Sequence, residues 1–329
     1  MLPAALAKAR LDGPLGDAWL ALRSGRIRLA NSHLLLATRL HDDGGLPLDP
    51  TGAAVLGALV VDGRLAVGDI GGAERAADAL TAHTGRADAA GTAAHLALGE
   101  VASALGDHTR AEQHFSTAGT LPGLDIVRPW RTGAALALVW AGRRREAAAL
   151  AREQVAISGS DPYGRAVGLR TLAIADTAHD RVTVLRRARD VVALTSDRRL
   201  AAQIDTDMAG LMLLDPVRHT RAEAVGLLRG AEQYAGAEGL WPLHSRVVRL
   251  LERAGERAHP LEGETLATLT AAERRVARLA AEGLTNRQIA DQLSLTIKGV
   301  EWHLSRVYRK LGIGSRSALT GLLSNGLAS

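Results

Sequence analysis

Cysteine is absent from the 329 residues, which excludes disulfides and thiolate metal sites and fits a reducing compartment. Aromatic residues number only nine, and Ala, Leu and Val make up most of the hydrophobic share of 47%. With β-branched and aromatic side chains scarce, the core suits closely packed helices better than sheets. Long apolar runs are missing as well. The most apolar stretches, Gly52 to Val61 and Gly133 to Ala141, reach about half the length of a membrane-spanning helix. No apolar run follows the first charges as a leader would. A soluble, cytoplasmic chain without a membrane partner is expected.

Catalytic and cofactor signatures are missing too. The eleven His residues are scattered. The closest groupings, His108 with His114 and His41 with Asp42 and Asp43, lack the i, i+4 spacing of a helical zinc site. No Gly-x-Ser-x-Gly elbow occurs. A phosphate loop needs a glycine-rich turn leading into Lys-Ser/Thr, whereas Lys8, the one lysine before the tail, has no glycine before it and is followed by Ala9. The chain reads as a non-enzyme with no metal and no cofactor. Apart from Lys8, lysine occurs only at 298 and 310, with Arg in its place elsewhere, a bias that fits codon composition.

The charge that is present is unevenly placed. Residues 265–329 carry nine Lys/Arg against four Asp/Glu, while the rest balances at 31 of each sign. A neutral body with a basic tail is the pattern of a nucleic-acid footprint confined to that tail.

Upstream of the tail, apolar runs of helical period alternate with short turns, and no period-two strand pattern stands out. The clearest unit is LALGEVASALGDHTRAEQHFSTA, ending at Ala118. Leu98 and Gly99 fall on a first helix, Gly106-Asp107 at a turn, and Ala111, Phe115 and Ala118 on a second. This resembles the tetratricopeptide repeat, in which small residues let two helices approach and a large one fills the gap. Comparable turns at Gly68-Asp69, Gly142 and His179 give spacings of 38, 36 and 37 residues, the period of helix-hairpin solenoids. Gly25 marks a less regular one, and a last helical pair is predicted from Ala222 through Ala254. Residues 1–254 are therefore expected to form a tetratricopeptide-like repeat domain. The polar, Gly- and Pro-containing segment at 255–265 serves as linker, and 266–329 forms a separate domain.

The tail carries unusually complete helix signals. Thr270 and Glu273 form a capping box opening a first helix that Gly283 stops. Thr285 and Gln288 form a second box for a short helix ending near Leu293. After a turn at Ser294-Leu295, Thr296 caps a third helix that Gly312 terminates, and Ser315 caps a fourth reaching about Ser324. A short helix, a tight turn and a longer helix make a helix-turn-helix. At about 100° per residue, Ile297, Val300, Leu304, Val307 and Leu311 share one stripe of the third helix. Lys298, Trp302, Ser305 and Arg309 fall opposite, with Arg306 beside them and Glu301 at the edge. A Trp among cations on a solvent face suits a surface pressed into the major groove. There the aromatic ring meets a thymine methyl or sugar edge, the cations meet phosphate or guanine, and Glu301 can accept from cytosine.

Leu269-Thr270, Glu273, Val276, Gly283-Leu284-Thr285-Asn286, Ile289-Ala290, Val300, His303, Lys310-Leu311-Gly312 and Arg316 together resemble the LuxR-type helix-turn-helix. The resemblance covers about one-sixth of the chain. It implies phosphate roles for Asn286, Arg287, Thr296 and Lys310, with Thr285 beside them, and base-reading roles for Glu301, Trp302 and Ser305. His303 would brace the helix or a phosphate. Two departures stand out. The family usually has Thr where Gly299 stands, and the glycine should weaken the helix by about 1 kcal/mol relative to Ala. It often has Lys or Arg where Glu301 stands, so the usual base preference need not hold. With the repeats upstream, the chain resembles the C-terminal part of the large ATP-binding LuxR-type regulators, without their ATPase.

The resulting expectation is an all-α protein: a helical-hairpin solenoid followed by a four-helix LuxR-type domain. It would bind double-stranded DNA as a homodimer through the fourth helix (Arg316 to Ser324, with Leu319, Leu322 and Leu323). The repeats would take a peptide, protein or small-molecule partner. The alternative is a repeat scaffold with a weak or vestigial DNA-binding domain.

Overall fold

The computed structural model describes residues 13–122, 129–215, 220–256, 269–293, 295–311, 316 and 319. These divide between two compact units, Met1–Arg257 and Ala258–Ser329, and the described residues are helical, without a strand. The expected linker falls largely outside them. No helix among the described residues is long and apolar enough to cross a membrane.

The first unit holds thirteen described helices: α1 (Pro14–Arg23), α2 (Ile27–Asp42), α3 (Pro50–Ala66), α4 (Ile70–Leu80), α5 (Ala89–Leu105), α6 (His108–Thr120), α7 (Trp130–Trp140), α8 (Arg144–Ile157), α9 (Pro162–Ala175), α10 (Arg181–Val192), α11 (Arg198–Met212), α12 (Arg221–Glu238) and α13 (Trp241–Arg253). Aspartate opens many of them. Asp49, Asp69, Asp88, Asp107, Asp161, Asp180 and Asp197 each accept from a backbone N–H of the following first turn, worth about 1 kcal/mol per cap.

The predicted turn points fall between paired helices: Gly25 between α1 and α2, Gly68 between α3 and α4, Gly106 between α5 and α6, Gly142 between α7 and α8, and His179 between α9 and α10. The predicted final pair is α12 and α13. The packing logic of the Gly106 unit is also as expected. Phe115 is 2% exposed, and its ring fills a gap that only glycine leaves open. A Cβ on Gly99 would lie 2.8 Å from that ring, and one on Gly133 of the next hairpin 2.6 Å.

The repeat spacing did not predict that the array curls back on itself. The α1–α2 turn is seated against α11 and α12. Tyr234 Oη donates to the Gly25 carbonyl at 2.6 Å, and a side chain on Gly25 would meet both that hydroxyl and the Arg199 backbone. The Arg28 N–H donates to Glu238 Oε2 at 3.1 Å, Arg199 pairs with Asp62 at 3.0 Å, and the Arg23 guanidinium sits 3.3 Å from the Tyr163 ring centre. One apolar cluster accordingly joins α1–α5 to α9–α13, while α6–α8 are held by smaller clusters of their own. Between that arc and the returning helices lies an open cavity of about 900 Å³.

The second unit holds α14 (Ala271–Ala281), α15 (Asn286–Leu293) and α16 (Ile297–Leu311). Their core is built from Leu269, Val276, Ala277, Leu279, Ala280, Ile289, Ala290, Val300, Leu304, Val307 and Leu319.

Candidate nucleic-acid interface

Local chemistry sets each helix of the second unit. The Thr270 N–H donates to Glu273 Oε2 at 2.8 Å while the Glu273 N–H donates to Thr270 Oγ1 at 3.2 Å, a reciprocal capping box. The Thr285–Gln288 box repeats this at 2.8 and 3.3 Å, so the Thr285 hydroxyl is occupied in opening α15. Thr296 Oγ1 accepts from the Gly299 N–H at 3.0 Å at the head of α16. Gly283 ends α14 at φ 91°, with the Leu284 N–H returning to the Leu279 carbonyl at 3.1 Å; only glycine takes that conformation without strain. Ser294 lies outside the described residues, but the turn closes where the Leu295 N–H reaches the Ala290 carbonyl at 2.9 Å.

Helix α16 has two distinct faces. Val300, Leu304 and Val307 are buried against the core. Trp302 is 54% exposed, and Lys298, Glu301 and Ser305 are exposed with it. Thr285, Arg287 and Thr296 are exposed and Asn286 half-buried. The side chains of Arg309 and Lys310 lie outside the described set, as do Gly312 and Ser315.

Three expectations need correction or refinement. Ile297, placed on the core stripe by its angle, is 47% exposed. As the first residue of α16 it precedes the part of the helix that contributes to the core. Arg306 is not simply a groove-facing cation. Its Nε donates to Oε1 of Glu273, which is 2% exposed, at 3.0 Å, and its guanidinium lies 4.7 Å from the Trp302 ring centre. It thus ties α16 to α14 and supports the exposed indole by a cation–π contact. Leu319, expected at a dimer contact, is fully buried in its own unit's core and cannot offer its side chain to a second copy. Leu322 and Leu323 lie outside the described residues.

A positioning role for Arg316 went unread in the sequence. It donates through Nε to the Ala280 carbonyl at 3.2 Å and through Nη1 to Asn286 Oδ1 at 3.0 Å, and through Nη2 to the Leu284 carbonyl. One guanidinium therefore pins the α14–α15 junction and orients Asn286. Its place among the residues that carry the LuxR-type resemblance was a sequence signal that it matters, but not of what it touches. Arg316→Ala is expected to destabilise the unit by about 2 kcal/mol, the scale of charged hydrogen bonds lost from a partly buried site. Thermal melting with circular dichroism checks this; an unchanged midpoint would contradict it.

Comparison with known proteins agrees with this geometry. Residues 267–323 match the family described as bacterial regulatory proteins, luxR family. A protein of Mycobacterium bovis named an HTH-type transcriptional regulator is 28% identical over 264 residues, 78% of this chain and 28% of that protein. The chain therefore spans little more than a quarter of that relative's length. The alignment is far longer than the tail, so the similarity runs into the helical repeats. The DNA-binding transcriptional activator DevR/DosR of Mycobacterium tuberculosis is 43% identical over 67 residues, 20% of this chain and 29% of that protein. The transcriptional regulatory protein LiaR of Bacillus subtilis is 36% identical over 72 residues, 22% of this chain and 32% of that protein. Capping boxes, helix-turn-helix geometry and family match coincide on one segment, and the chain carries, at 267–323, a helix-turn-helix domain of the luxR family of bacterial regulatory proteins.

Proposed function

We propose that the chain is a sequence-specific transcriptional regulator that reads the major groove with α16, and that its helical repeats sense a partner or ligand. The observation that carries the reading is the exposed face of α16, where Trp302 stands outward with Lys298, Glu301 and Ser305 while the opposite face is consumed by the core. Base reading falls to Glu301, Trp302 and Ser305. Phosphate contacts fall to Asn286, Arg287, Thr296, Lys298, Arg309 and Lys310, with Thr285 capping the helix that presents them. Arg306 contributes chiefly by holding Trp302 and Glu273. A single domain of this size covers one half-site, so binding as a homodimer to a pseudo-palindromic site follows.

Trp302→Ala is expected to weaken specific DNA binding by about tenfold or more, the scale of one good base contact, with helical circular dichroism unchanged. Fluorescence anisotropy on selected DNA over a salt series measures it, and affinity should fall steeply with salt. No affinity for any duplex at low salt would reject the reading in favour of a repeat scaffold. A footprint of a single half-site would reject the dimer.

A further inference from the structure

The first unit's cavity of about 900 Å³ lies at the upper end of the size range of small-molecule sites. Its charge is lopsided. Six arginines line it (Arg144, Arg170, Arg181, Arg246, Arg249 and Arg253) against only two carboxylates, Glu100 and Asp207. The chain upstream of the tail is neutral overall, so this concentration of cations is a local feature.

Asp207 is already committed. It accepts from Arg170 Nε at 2.7 Å and pairs with Arg246 Nη2 at 2.5 Å. Arg181 Nε donates to the Ala173 carbonyl at 2.6 Å and Arg144 Nη1 to the Ile174 carbonyl at 3.0 Å. Backbone carbonyls orient these two guanidiniums without neutralising them. Among the described residues, no carboxylate pairs with Arg144, Arg181, Arg249 or Arg253. The Arg181 guanidinium is held below its ordinary pKa. Burial is the larger cause, and the nearby Arg144 charge adds to it, against the opposing pull of Asp207.

The remaining wall is apolar. Leu136, Val139, Ile174, Leu185 and Leu211 line the interior, and Trp140, 73% exposed, stacks on His108 at 5.7 Å. An exposed Trp and an apolar wall beside uncompensated guanidiniums match a ligand with a negatively charged head and an apolar or ring-bearing body.

We propose that this cavity binds a small organic anion, a phosphate ester or carboxylate with an apolar body, whose charge is met by Arg144, Arg181, Arg249 and Arg253. This deepens the proposed sensing role of the repeats and rests on it for its regulatory meaning. The binding itself needs no DNA.

The test is titration calorimetry of the full chain with 1-naphthyl phosphate and 1-naphthoate, with 1-naphthalenemethanol as the uncharged counterpart. Saturable one-to-one binding of at least one anion is expected, about tenfold or more tighter than the alcohol, since two or more charge-assisted bonds distinguish them. The double variant Arg249→Gln/Arg253→Gln should weaken the anion by a similar factor. Gly210→Phe supplies a second arm. A Cβ there would meet only Leu250 methyl carbons, at 3.6 and 3.7 Å, so the ring enters the cavity without backbone strain and should abolish binding while helicity is kept. No saturable binding of either anion, equal affinity for the alcohol, or equal affinity in both variants would overturn the proposal. Parent DNA affinity, measured on the same preparation, separates the two readings. Anion binding without DNA binding rejects the regulator, and DNA binding without anion binding rejects only the ligand site.

Discussion

Glu273→Ala is expected to destabilise the helix-turn-helix unit by about 3 kcal/mol, a cost on the scale of truncating a buried core side chain. The carboxylate closes the capping box by accepting from the Thr270 N–H, and it accepts from Arg306 Nε with its other oxygen. Loss of the cap alone costs about 1 kcal/mol. Loss of the ion pair leaves a guanidinium without its acceptor. Arg306 is more than a third exposed, so water recovers part of that cost, and the total stays below that of a fully buried pair. A luxR-type domain of this size has little stability in reserve. Hydrogen exchange of the full chain should therefore show α14 and α16 amides losing protection together, with DNA affinity falling as the domain opens. Glu273→Gln keeps an acceptor for the cap and should lose about half as much. Unchanged protection in Glu273→Ala would mean that the pair contributes nothing net.

Phe115→Ala is expected to cost the repeat unit about 4 kcal/mol. The ring is wedged between Gly99 and Gly133 in a cluster with Leu96, Ala102, Ala111, Ala118, Ala134 and Ala137, against which Trp130 and Leu150 pack. Most of these neighbours are alanines with no rotamers to fill a void, so collapse around the lost ring is limited and the cost stays within the usual range for a buried Phe. Phe115→Leu should cost appreciably less, since it leaves a smaller void. Denaturant titration followed by far-ultraviolet circular dichroism checks both. A loss under about 1 kcal/mol for the alanine variant would show that the hairpins slide together without it.

These two residues show how differently the two units were written in the sequence. In the tail, Thr270, Glu273, Thr285, Gln288, Thr296 and Gly283 each act within a few residues of themselves, and local hydrogen-bond chemistry made every described helix start legible. The exposure of Trp302 followed from helical angle alone. The hairpin turns of the repeats were legible for the same reason, since Gly106 and its counterparts interrupt an otherwise continuous apolar period. Phe115 could be matched with Gly99 because both lie within one hairpin.

What escaped the sequence required two distant segments to meet. Arg306 was assigned by angle to the groove side, but Glu273, 33 residues away, draws its head group toward α14. Leu319 read as a surface leucine, and the core of its own unit claims it. Ile297 read as core, although its place at the first turn of α16 leaves it exposed. Helical periodicity gives the direction of a side chain relative to its own axis, and says nothing of which neighbour lies there. The same limit applies to the repeats on a larger scale. The sequence by itself determined that this is an all-α chain of helical hairpins ending in a helix-turn-helix, because caps, turns and apolar period are short-range. Only the tertiary structure decided that the hairpins curl until Gly25 meets Tyr234, and that arginines spread from position 144 to 253 converge on one cavity. Small rotations between successive hairpins accumulate along the array, and no local signal records their sum.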